Sequence, residues 1–129
     1  MSVSAIRDGL ADALALALPR VSSYFPDDIT PPMGIVDTYQ VQYDSAFNRG
    51  SDEITFDVMV VVKRSSERAG QEALDTYVPL VKAALEQDPS LGGAADDVHV
   101  TAMNGYAPLN VGDITYLAAT FAVRVIATA

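Results

Sequence analysis

The chain holds one histidine, His99, and no cysteine, so proton transfer or nucleophilic attack would have to rest on His99, on hydroxyls or on carboxylates. A serine hydrolase presents its nucleophile on a sharp strand-to-helix turn, within reach of a histidine base. No Gly-x-Ser-x-Gly stretch occurs, and Ser90, near His99, falls in a turn that ends a helix. Asp97 and His99 lie two residues apart, which on an extended strand places both on one face and could supply two metal ligands. A closed metal site wants three or four ligands, and no third is indicated. The pairs Asp27-Asp28, Asp52-Glu53 and Asp96-Asp97 are adjacent in sequence, so on extended backbone their carboxylates diverge and make poor acid–base dyads. Gly92-Gly93 is followed by Ala-Ala-Asp-Asp, which would repel a phosphate. No catalytic residue, metal or cofactor is expected, and the chain does not read as an enzyme.

Two other groups stand out. Asp57 lies mid-strand between Phe56 and Val58, where a carboxylate is costly unless it faces solvent or finds a partner. Lys63, Arg124 or a neighbouring subunit could provide one, with Arg124 the most natural by type. Phe47 and Arg49 sit in the polar stretch Ser45-Ala-Phe-Asn-Arg-Gly-Ser-Asp52, where an aromatic residue could anchor into a partner or fold back onto its own chain.

The elements that carry these residues follow from hydrophobic spacing. Ile6, Leu10, Leu14 and Leu18 recur every fourth residue and predict a helix over Ser4 to Leu18, capped by Ser2 or Ser4 and stopped by Pro19. Prolines at 19, 26, 31 and 32 make residues 19–34 a stiff, extended connection. Alternation of Tyr39, Val41 and Tyr43 with polar residues predicts a strand over Ile35 to Asp44. A second strand, Glu53 to Arg64, puts Ile54, Phe56, Val58, Val60 and Val62 on one face. The Asn-Arg-Gly turn between these strands gives a hairpin with a long tip. A second helix from near Ser66 to near Gln87 buries Leu74, Tyr77, Val78, Val81, Ala84 and Leu85, with a kink or break at Pro79. A short strand, Val98 to Met103, and a long one, Ile114 to Ala127, complete the chain.

The expected order is α-β-β-α-β-β. It packs most simply as a single α+β domain over residues 1–129, a two-layer sandwich with two helices on one face of a mainly antiparallel four-stranded sheet. At 129 residues it is large enough to fold alone. Seventeen acidic and eight basic residues give a net charge of −9, which opposes tight nucleic-acid binding but suits a surface past which DNA slides. The same charge also serves simple solubility. No run of about 18 apolar residues is present to cross a bilayer, and the start lacks a signal peptide's pattern, so a soluble protein made in the cytoplasm is expected. With the all-apolar sides of the strands turned to the helices, the other sheet face carries Thr55, Asp57, Met59 and Val61, and on the last strand Tyr116, Thr120 and Arg124. That face is too apolar for a free monomer, so either it is a protein interface or residues 19–34 cover it.

From Val81 onward the order is a helix end (Val81-Lys-Ala-Ala-Leu-Glu), Leu91-Gly-Gly, a strand at Val98, Tyr106, and Tyr116 opening the last strand. This pattern resembles the tail terminator proteins of long-tailed siphophages, of the phage lambda type, and in element order the likeness spans nearly the whole chain. The resemblance implies a virion protein at the head–tail junction, assembled in the host cytoplasm. It would form a hexameric ring that caps the tail tube, stops its growth and meets the head connector, while DNA passes through without specific binding. The resemblance maps no residue roles; from the polar loop and the open sheet face, Phe47, Asn48, Arg49, Gly50 and Asp52 are expected to dock on tail tube protein, and Asp57, Met59, Val61, Tyr116 and Arg124 to make subunit contacts. No membrane partner is implied. Two alternatives stay open: a head-completion or connector subunit of the same virion, and a small ligand-binding α+β domain using the open sheet face as a cleft.

Overall fold

A computed structural model describes residues 2–43 and 50–128. Helix α1 (Val3–Leu14) is capped by Ser2, whose hydroxyl accepts from the Ala5 amide at 3.2 Å. It buries Ile6, Leu10 and Leu14. It ends four residues sooner than the leucine spacing predicts, although the Leu18 amide still donates to the Leu14 carbonyl at 3.0 Å. Leu18 precedes a proline, whose ring disfavours helical backbone there. Helix α2 (Glu67–Glu86) is capped by Ser66 and runs through Pro79 as one helix rather than breaking into two. The cost is one missing amide donor.

The sheet has five strands where four were expected: β1 (Val21–Ser22), β2 (Met33–Gln42), β3 (Ser51–Lys63), β4 (Asp97–Val111) and β5 (Ile114–Thr128), in spatial order β1-β2-β3-β5-β4. The extra strand, β1, runs parallel to β2 and pairs only Val21 with Gly34 and Ser22 with Ile35, so the sheet is mixed and the order is α-β-β-β-α-β-β. All other pairings are antiparallel. The α+β class holds; a two-residue strand in a proline-rich connection leaves no alternation to read.

Periodicity assigns the faces correctly. Ile54, Phe56, Val58, Val60 and Val62 of β3 join Leu117, Ala119, Phe121, Val123 and Val125 of β5 against Ile6, Leu10, Leu14, Leu74, Val81 and Leu85 of the helices. Between α2 and β4 lies a tight turn at Leu91–Gly93. The Asp88 carboxylate ties it down, accepting from the amides of Ser90 and Gly92 at 3.1 and 3.0 Å and from the Ser90 hydroxyl at 2.7 Å. These bonds hold the Asp88 carboxyl below its ordinary pKa. Leu91 takes a φ of 49° and turns its side chain in against Gly9 of α1.

Candidate interaction surface

Strand β4 lies at the edge of the sheet, and from Thr101 to its turn into β5 it is largely exposed, while β5 beside it is largely buried. Gly112, with φ 61°, opens the two-residue turn that joins them. Strand β4 extends well past the predicted end at Met103, because residues that read as loop signals, Asn104, Gly105 and Pro108, are carried by pairing to β5 as far as Val111–Ile114. Gly105 sits in a register break with φ 91°, and Pro108 lies on an edge strand, where a missing amide can be tolerated. Thr101 to Pro108 are all exposed, whereas Leu117 to Ala119, the β5 partners of Tyr106 to Pro108, are buried. Met103, Tyr106 and Ile114 are 39, 45 and 56 % exposed.

On the sheet face away from the helices, this hairpin borders a hollow of about 270 Å³ lined by Met59, Gly105, Tyr106, Leu109, Ala118 and Thr120. Between Val100 and Val123 the only charged side chain is Asp113, at the turn. This charge-poor stretch was present in the sequence and is the signal that sequence reasoning passed over.

The face away from the helices is not uniformly open. At one end Ile29 and Met33, from the proline-rich connection and the start of β2, pack with Ile35, Val61, Tyr116 and Ala118 in a second, smaller core. The Tyr116 hydroxyl donates to the Ile29 carbonyl at 3.4 Å. Val61 is fully buried and Tyr116 nearly so, which corrects their expected place on a subunit surface: the chain covers them itself. Met59 remains partly exposed beside the hollow.

At the other end Asp57 lies opposite Ala122 and Arg124 opposite Thr55, diagonal to both Asp57 and Glu53. The expected Asp57–Arg124 pair does not form. Arg124 instead points toward Glu53, with 4.0 Å between Nε and Oε1. Lys63 pairs with Tyr116, six residues along the strand from Asp57. Asp57 accepts a hydrogen bond from the Thr38 hydroxyl at 3.1 Å, at the bulge where β2 carries two residues against one. Asp37, in the same bulge, has its carboxyl raised above the ordinary range by partial burial and then by the Asp57 charge, with Arg7 opposing.

Of the docking-loop residues, Phe47, Asn48 and Arg49 lie outside the described residues. Gly50 has φ 94°, a backbone that favours glycine, just before β3. Asp52 is 4 % exposed, which corrects its assignment to an exposed loop: strand alternation puts it on the helix side with Ile54.

His99 is a strand residue with a largely exposed side chain, and its Nδ1 lies 3.0 Å from Glu86 Oε2. The same carboxylate accepts from the Val100 amide at 2.9 Å and from Lys82, joining the end of α2 to β4. These contacts, the Lys82 bond first, hold the Glu86 carboxyl below its ordinary value. Among the described residues, no three of His, Asp and Glu gather as they would around a metal ion.

Arg7, which sequence reasoning left unremarked, is the buried charge of the molecule's helix layer at 7 % exposure. Its Nη1 donates to the carbonyls of Ser23 and Val36, each at 2.7 Å. Its guanidinium lies 4.5, 5.8 and 5.6 Å from the ring centres of Tyr24, Tyr39 and Phe56. The arrangement fastens the chain leaving α1 to β2. The available signal was its place three residues before Leu10 and seven before Leu14, on the edge of the apolar stripe.

No family model matches the chain, and no curated protein matches it.

Proposed function

We propose that the chain is a structural, non-enzymatic subunit of a siphophage tail. Copies of it form a ring, hexameric by resemblance to tail terminators, that caps the tail tube, ends its growth and joins it to the head connector. The observation that carries this reading is the exposed outer strand β4 with its turn into β5, where Asp113 is the one charged side chain between Val100 and Val123, on a molecule of net charge −9. A contact surface depleted of charge and bearing exposed apolar and aromatic side chains is what protein assembly uses. The net charge of −9 fits a ring through which DNA passes without being held. In this reading the virion is the site of action, tail tube protein and head connector are the partners, and no cofactor takes part.

Negative-stain electron microscopy of the purified chain, alone and mixed with its tail tube protein, tests the proposal. Rings, or tubes capped at one end, are the expected result. A monomer or dimer that leaves tube growth unchanged would overturn it, and capture by a portal-side protein instead would move the subunit to the head-completion side of the junction.

A further inference from the structure

We propose that the groove between α1 and α2 docks a segment of a partner protein in which a basic side chain stands beside apolar ones. Two hollows, of about 330 and 240 Å³, share Leu16, Ala84 and Gln87 and so form one continuous groove between the helices. Its walls are mostly small or apolar, with Ala13 on the α1 side and Leu80 on α2. Leu16 and Leu80 are 66 and 49 % exposed, so both are open to water until something covers them. The two helices run antiparallel here, which gives the groove two unlike ends. Leu16 and Leu80 meet at one end, and Asp12, Gln87 and Asp88 at the other.

Charge selects the occupant. No lining residue of either hollow is basic. Arg7, the one basic residue of α1, is buried and committed to two carbonyls, so the exposed charge of that helix is Asp8 and Asp12 alone. Among the described residues no basic side chain pairs with either. Asp88 is bonded only to amides and a hydroxyl, which leaves its negative charge uncancelled. Helix α2 also ends here without a basic residue in its last turn, and the last carbonyls of a helix carry partial negative charge. Lys82 lies on the other side of α2, over Val100 and Phe121. A cation at the Asp12–Asp88 end is therefore favoured, whereas an acidic segment or a phosphate backbone is repelled. The apolar end calls for aliphatic side chains on the same ligand. A segment of polypeptide joins the two chemistries at this spacing, as amphipathic segments do in apolar grooves.

Fluorescence anisotropy with the full chain tests this, using a labelled amphipathic peptide of about 14 residues, roughly 20 Å as a helix, with Leu on one face and Lys on the other. It should bind with a dissociation constant of about 100 μM or tighter, and the same peptide with Glu for Lys should bind at least about 10-fold more weakly. Asp12→Lys should weaken the Lys peptide by about 10-fold, and so should Leu16→Gln with Leu80→Gln. Asp113→Lys makes the same change of net charge at the distant β4–β5 turn and should alter binding by less than about 2-fold. All these positions are exposed, and far-UV circular dichroism checks each fold; the exchange of Lys for Glu in the peptide needs no variant at all. Equal binding of the two peptides, no binding of the Lys peptide at millimolar concentration, or equal losses from Asp12→Lys and Asp113→Lys would overturn the site. Octylamine that displaced the peptide at the peptide's own concentration would overturn the choice of a polypeptide. The readout is the same whether or not copies of the chain form rings, so its failure leaves the ring-forming reading untouched.

Discussion

Replacing Arg7 should be among the most damaging single changes available in this protein. Arg7→Met retains much of the aliphatic stem's packing but removes both hydrogen bonds and the charge over the rings. The Val36 carbonyl lies in a buried bond, and leaving such an acceptor unsatisfied costs about 1 to 3 kcal/mol. The Ser23 carbonyl is only part-buried, so water replaces most of that second bond. Loss of the stacked cation over Tyr24, with Tyr39 and Phe56 nearby, adds about 0.5 to 2 kcal/mol. Against these losses stands relief from desolvating a guanidinium, so the net is about 1 to 4 kcal/mol out of the 5 to 15 typical of a domain. In urea unfolding, with a slope of about 2 kcal/mol per M, the midpoint should fall by about 0.5 to 2 M. Arg7→Lys should recover little, because an ammonium cannot serve two carbonyls and stack on Tyr24 at once. A midpoint within about 0.3 M of wild type for Arg7→Met would refute the reasoning; it would mean that desolvation cancels what the anchor contributes.

The pH dependence of stability has two opposed parts. Glu86 has a folded pKa below its ordinary 4.5, so its contribution is present above that value and is lost as pH falls through the folded one; Glu86→Gln should flatten the acid limb of a stability–pH curve, and an unchanged limb would count against the Lys82 and Val100 contacts. Asp37 is shifted the other way, so the proton it holds favours the fold below 3.8 and that favour is lost as pH rises through the folded pKa; Asp37→Asn should stabilise at neutral pH, with the gain fading in acid. A gain that grew on acidification would contradict that sign. Gly9→Ala places a Cβ 2.8 Å from Leu91 Cβ and 3.1 Å from its carbonyl oxygen, so overpacking of about 1 to 3 kcal/mol outweighs about 1 kcal/mol of helix propensity, and thermal unfolding should move down by several degrees. A higher midpoint would show that the Leu91 turn moves aside. Phe47→Ala with Arg49→Ala should leave the unfolding curve unchanged and impair tail capping in a complementation assay; tails of normal length would remove these residues from the docking role.

Local spacing determined a good part of this protein. The recurrence of Ile6, Leu10 and Leu14 at every fourth residue, the helix start near Ser66 and the strict alternation from Ile54 to Val62 are short-range signals, and each places its residues where the structure has them. A helix stripe or a strand face is a property of a few consecutive turns or pleats, so the chain displays it before it folds. The scarcity of charge between Val100 and Val123, with Asp113 alone, is equally a sequence property, although its meaning depends on knowing that the first half of the stretch is an exposed edge strand.

Tertiary structure decided what covers what. Long-range packing brings Ile29 over Val61 and Tyr116, so residues with the right alternation for an open face are closed within the chain. The β3–β5 register sets Arg124 opposite Thr55, two residues from Glu53 and two from Asp57, and the side chain turns to Glu53, a choice that no local pattern reveals. Pairing with β5 carries Gly105 and Pro108 into a strand, although both residues locally favour a turn. Arg7 reads as an ordinary helical arginine until the chain leaving α1 returns and sets two carbonyls and an aromatic ring around it. Periodicity specifies the side on which a residue lies; the entropy-costly contacts between distant segments determine whether that side meets water.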